Sequence, residues 1–93
     1  MPSRITGHDV PTTVTSGTSF QITVNYESTA NGDLALSVDD GFTVEPSTYP
    51  LTASSPGGAT FGVTITRGTA TTEGCTLKLE FGNTEEPRID RVK

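Results

Sequence analysis

The stretch Phe20-Gln21-Ile22-Thr23-Val24-Asn25-Tyr26 decides the fold class. Its apolar members fall at every second position, and side chains of a β-strand point alternately to opposite faces, so one face of this segment is buried and the other is wet. A helix would need apolar residues three and four apart. The same period recurs downstream. Leu34, Leu36 and Val38 alternate with Ala35 and Ser37, Phe61, Val63 and Ile65 with Gly62 and Thr64, and Cys75, Leu77, Leu79 and Phe81 with Thr76, Lys78 and Glu80. Eighteen threonines, a β-branched residue that packs well on a pleated surface, push the composition the same way.

Between these runs lie turn signals. Ser16-Gly17-Thr18 precedes the first clear strand and Asn31-Gly32-Asp33 breaks the chain after it. Asp39-Asp40-Gly41 reads as a tight hairpin turn joining Leu34–Val38 to a short strand around Phe42 and Val44, because Gly accepts positive φ and Asp tolerates turn geometry. Pro46 and Pro50 each remove a backbone donor, which restricts the segment holding Tyr49 and Leu51 to a sheet edge or a loop. Residues 53–58, Ala-Ser-Ser-Pro-Gly-Gly, read as a flexible connection. At the front, Ile5, Val10 and Val14 surround Pro11, which predicts an edge strand broken into two pieces. After a turn over Gly82 to Pro87, residues 88–93 form a last short strand in which Ile89 and Val92 have opposite parity, as a bulge or an early end would produce.

The expected architecture is all-β, a two-sheet sandwich of about seven antiparallel strands, with turn signals roughly every 8–12 residues. The 93 residues form one domain over 1–93. With a single cysteine, Cys75, the chain closes no internal disulfide, so packing alone holds it. Six basic against eleven acidic residues give a net charge of −5, the wrong sign for neutralising phosphates or for docking on an anionic membrane. No apolar run approaches the ~20 residues of a membrane span. The opening Met1-Pro2-Ser3-Arg4 lacks the basic-then-apolar layout of an export signal, so folding in the cytoplasm is expected.

Taken together, the broken strand at Val10-Pro11, the run Gly17-Thr18-Ser19-Phe20-Gln21-Ile22-Thr23-Val24 and the alternation ending at Phe81 resemble the immunoglobulin-like superfamily in its bacterial and phage branches. The chain departs from the antibody-type pattern: it has no tryptophan, the second strand offers Ile22 and Val24 instead of a cysteine, and Glu73 stands two residues before Cys75 where a tyrosine corner would place Tyr. The resemblance implies a non-enzymatic virion protein, a capsid decoration or accessory subunit assembled in the host cytoplasm, whose partners are other structural proteins. Its alternative is a spacer or glycan-binding module of a bacterial surface or adhesin protein.

Candidate chemistry is sparse. His8, with Asp9 beside it, is the one imidazole available to a nucleophile, and its polar surroundings near the start of the chain point to an ordinary exposed histidine. Cys75, in phase with Leu77 and Leu79, reads as a buried structural thiol. Asp39 with Asp40 and Glu85 with Glu86 are carboxylate pairs in turns; a calcium site on the first would need further oxygens converging from another strand. Phe20, Tyr26, Phe42, Phe61 and Phe81 all fall on inward positions, leaving Tyr49 as the one exposed platform for a weak glycan contact. No cofactor, catalytic set or metal site is expected. The candidate interaction edge is the last strand, Arg88, Ile89, Asp90, Arg91, Val92 and Lys93, which carries alternating charges and no proline, and so is open to strand addition.

Overall fold

The computed structural model describes residues 3–93; Met1 and Pro2, which the sequence reading placed in the domain and in its non-exported opening, lie outside them. The strands in chain order are β1 (Arg4–Asp9), β2 (Thr13–Val14), β3 (Phe20–Ser28), β4 (Gly32–Val38), β5 (Thr43–Glu45) and β6 (Thr48–Leu51). They continue with β7 (Ser54–Thr66), β8 (Cys75–Phe81), β9 (Asn83–Glu85), β10 (Arg88–Ile89) and β11 (Arg91–Val92). No helix occurs among the described residues.

β3 has the expected alternation: Ile22, Val24 and Tyr26 are buried, while Gln21 and Asn25 face water. It lies in a sheet ordered β1-β3-β7-β5, and a second sheet is ordered β10-β8-β4-β6 with β9 also on β8. Apart from the parallel pair β11-β2, every pairing among the described residues is antiparallel. Ile22, Val24, Val63 and Ile65 of the first sheet meet Leu34, Leu36, Leu77 and Leu79 of the second in one hydrophobic cluster, a sandwich-like arrangement. Each such side chain contributes roughly 1.5–3 kcal/mol when fully buried, and with Cys75 unpaired this packing is what holds the sheets together.

The first strand breaks as the proline predicts. β1 pairs with β3, the chain passes Pro11, and β2 pairs with β11 in parallel, so the two halves serve different sheets. A register shift between Ile5 and Gly7 lets β1 bend toward this change of partner. The far edge of β1 is closed by one side chain. The Asn83 amide donates to the Ile5 carbonyl at 3.0 Å and its Oδ1 accepts the Ile5 N–H at 2.6 Å, imitating a ladder step between β1 and β9.

Three expectations need correction. The Asp39-Asp40-Gly41 turn is present, with Asp40 at φ 60°, Gly41 at φ 87° and Phe42 N donating to Asp39 O at 3.2 Å. It does not make a hairpin, because β4 pairs with β6 and β8 while β5 pairs with β7. The turn is an arch between sheets: Phe42 turns into the core, and Val44 comes opposite Ile65.

The break placed at Asn31-Gly32-Asp33 also moves forward by a step, since Gly32 already opens β4 under the Phe81 ring, whose Cε1 lies 3.1 Å from where a Cβ would stand.

The supposed flexible connection at 53–58 falls, from Ser54 onward, within β7. Gly57 stands opposite Tyr26, and a Cβ there would come within 2.6 Å of the Tyr26 ring. The ring lies on bare backbone and donates its hydroxyl to Thr52 O at 2.8 Å, so glycine here makes room for an aromatic neighbour instead of loosening the chain. At ~3.3 Å per residue the thirteen residues of β7 span about 43 Å, which matches the 41 Å long axis of the molecule. β7 is the spine of the fold.

Candidate functional site

The edges of the sheets are where a β-fold leaves backbone donors and acceptors unpaired. The predicted interaction edge, Arg88 to Lys93, is divided between two neighbours. β10 pairs with β8, and Ile89 is fully buried beside Cys75. The chain then changes partner at Asp90, and β11 lies against β2 with Val92 1% exposed. That change explains why Ile89 and Val92 are both buried despite opposite parity.

The backbone donors from Asp90 to Lys93 are occupied. Asp90 N and Arg91 N both donate to Thr12 O, Val92 N to Glu73 O at 2.8 Å and Lys93 N to Val14 O at 2.9 Å, while Lys93 O accepts from Ser16 N. Gly74 allows the close approach, since a Cβ there would collide with the Ile89 and Asp90 carbonyls. What remains outward are the side chains of Arg88, Asp90, Arg91 and Lys93.

Arg67 organises the same pole, a role the sequence did not signal. Its guanidinium donates to Val92 O at 2.7 Å and Thr72 O at 2.6 Å and lies 5.2 Å from the centre of the Phe42 ring. A cleft of about 390 Å³ opens beside it, lined by Thr71, Thr72, Glu73, Arg91 and Lys93. Arg67 ties the 67–74 loop to the end of the chain with donors aimed at carbonyl oxygens, which stiffens the cleft wall.

The side chains weighed for chemistry are placed as follows. His8 Nδ1 is 3.1 Å from Glu85 Oε1, linking β1 to β9 next to the Asn83 clamp. The Cys75 thiol is fully buried, and burial pushes it above its ordinary pKa, with Asp39 and Asp40 adding to the rise and Arg88 opposing it. That is the wrong direction for a thiolate nucleophile.

Asp39 Oδ1 accepts the Thr76 backbone N–H at 2.9 Å, so this carboxylate anchors the arch to the start of β8. Among the described residues no three His, Cys, Asp or Glu side chains converge as metal ligands. Glu86 stands apart from Glu85, on a groove of about 190 Å³ shared with Asp39, Thr76 and Lys78.

Tyr49, expected to be exposed, is half-buried and stacked on Phe61 with ring centres 3.9 Å apart and planes 7° from parallel. One ring face is thereby covered, and the pair closes the gap between the sheets where β6 passes β7.

One edge stands out by elimination. β1 is bulged and clamped by Asn83, β5 is short and carries Glu45, and β6 is short and carries Pro50, all devices that blunt an edge. β7 is different. β5 covers its outer side only at Thr64–Thr66, and among the described residues no strand pairs with the outer side of Gly57 to Val63. β7 also has no charged residue over its whole length.

Comparison of the chain with protein-family models, with curated proteins and with solved structures gives no match. Geometry and chemistry are therefore the basis on which a role is assigned.

Proposed function

We propose that the chain is an immunoglobulin-like module with a structural, non-catalytic role. The sheet orders β1-β3-β7-β5 and β10-β8-β4-β6, and a first strand whose second half lies parallel to the last, support that class. The observation that carries the non-catalytic reading is that the histidine, the thiol and one turn carboxylate are engaged in the fold: His8 with Glu85, Cys75 in the core and Asp39 with Thr76 N.

Within that class the particular role is that of a phage capsid decoration or accessory virion subunit, assembled in the host cytoplasm and docked on a lattice of other structural proteins. Docking adds to the apparent stability of a small domain by mass action, which suits a chain held by a thin core. Mass spectrometry of purified particles is the test. The chain should be present in many copies per particle, and its absence from particles produced by cells that make it would overturn the role.

A second reading, a spacer in a bacterial surface protein, is favoured by the placement of the two ends. Ser3 bonds Ser28 at the finish of β3, whereas Lys93 bonds Ser16, just before β3 begins. Ser3 and Lys93 therefore lie toward opposite ends of β3 in a 41 × 18 × 17 Å body, an arrangement suited to joining modules into a rod. A reading frame that runs past Lys93 into further sandwich domains would select this role over the first.

A further inference from the structure

We propose that the open edge of β7 pairs with the same edge of a second copy of this chain, joining two four-stranded sheets into one continuous sheet across a twofold axis. The inference holds whether the module serves a virion or a cell surface.

An unpaired strand edge is a row of N–H and C=O groups ready to pair with another chain, and folded proteins normally blunt it with charge, proline, bulges or covering segments. The edges of β1, β5 and β6 carry such devices, and β2, β9, β10 and β11 are only two or three residues long. The gap on β7 carries none. It is bounded by Pro56, which has no N–H to donate, and by Thr64, where β5 begins, so the free stretch runs from Gly57 to Val63. At ~3.3 Å per residue that is about 23 Å, the length of an ordinary strand.

Charge chooses the occupant. Two copies each carrying −5 repel, so a self-contact must fall where charge is lowest. Gly57 to Val63 contains none, and the residues beside it on the outer face of β3, Gln21, Thr23 and Asn25, are also uncharged. A charged partner peptide would find no complementary group there. An identical edge would, because antiparallel pairing of two copies is self-complementary: every donor row meets its own acceptor row.

The register follows from the limits of the gap. A twofold axis at its midpoint sets Thr60 opposite the partner copy's Thr60, Gly58 opposite Gly62, and Gly57 opposite Val63. Glycines at 58 and 62 bring no side chain of their own to the edge, and the polar side chains of Asn25, Ser19 and Gln21 lie over them from the β3 side.

Sedimentation equilibrium of the full chain tests this, with three outcomes fixed in advance. The unaltered chain should show a monomer–dimer equilibrium. Thr60→Lys, which sets two ammonium groups face to face, should weaken it at least about tenfold while the far-ultraviolet circular dichroism is unchanged. An equimolar mixture of Thr60→Lys and Thr60→Glu should dimerise again, since the mixed pair turns repulsion into attraction. A chain that stays monomeric up to its solubility limit overturns the proposal. So does a dimer indifferent to both substitutions. If Thr60→Lys does not fold, amide chemical-shift changes on dilution of the unaltered chain decide the matter: changes centred on residues 57–63 uphold the pairing, and changes elsewhere refute it.

Discussion

Removing Arg88 to Lys93 should abolish folding. The deletion takes away Ile89, fully buried, and Val92, nearly so, and together they contribute about 3–6 kcal/mol of apolar burial before any cavity is counted. It also removes the backbone bonds to Thr12 O, Glu73 O and Val14 O, the bond from Ser16 N to Lys93 O, and the Arg67 bond to Val92 O. At ~0.5–1.5 kcal/mol each, these add several kcal/mol more. The sum reaches the whole stability of a domain this size, about 5–15 kcal/mol. Urea titration followed by far-ultraviolet circular dichroism, comparing the full chain with one ending at Pro87, reads the effect directly. The full chain should unfold in one cooperative transition, and the shortened chain should show none. Arg88→Ala and Asp90→Ala in the full chain, touching only exposed side chains, should stay within about 0.5 kcal/mol of the parent. A truncated chain with a cooperative midpoint near that of the parent would refute the assignment of this segment to the core.

Gly57→Ala should destabilise the chain by about 1–3 kcal/mol, since the new methyl pushes the Tyr26 ring off its site and strains its bond to Thr52 O, a loss visible in the near-ultraviolet tyrosine signal. Asn83→Ala should cost about 1–3 kcal/mol by leaving both Ile5 backbone groups without their partner, lowering Tm by roughly 4–8 °C for each kcal/mol. Because the folded state holds the Cys75 pKa above its ordinary value, its contribution is complete below the unfolded thiol pKa of about 8.5 and falls as pH rises toward the folded one. Denaturation measured between neutral and alkaline pH should show a steeper loss for the unaltered chain than for Cys75→Ala, and equal slopes would contradict the shift. In native conditions a thiol reagent should label Cys75 only as fast as the chain opens, with urea accelerating the reaction greatly.

The strands that were legible in the sequence share one property: each buries a single face against the opposite sheet. That is why Phe20 to Tyr26, Leu34 to Val38, Phe61 to Ile65 and Cys75 to Phe81 announce themselves through a period of two. Pro11 marked the broken first strand correctly, because a missing N–H is a local fact with a local consequence. Partner choice is not local. Asp40-Gly41 dictates that the chain reverses, and Phe42 and Val44, seeking the other sheet, dictate that it crosses over instead of folding back. Gly57 looks like a loop residue until Tyr26 stands opposite it.

The same limit governed the surface. Tyr49 looked free because its cover, Phe61, comes from another strand, and Arg88 to Lys93 looked open because its partners, Thr12, Val14 and Glu73, are distant in sequence. The uncharged character of β7 was present in the sequence throughout. It acquires meaning only once β5 is seen to cover just one end of it.

The claim that the presented edge is β7 and not the end of the chain is tested most directly by residue-resolved amide hydrogen exchange on the Thr60→Lys chain. The amides of Asp90, Arg91, Val92 and Lys93, all donating to backbone carbonyls, should be protected, while the outward half of the amides from Gly57 to Val63 should exchange quickly. Fast exchange across 90–93 together with uniform protection across 57–63 would contradict the account.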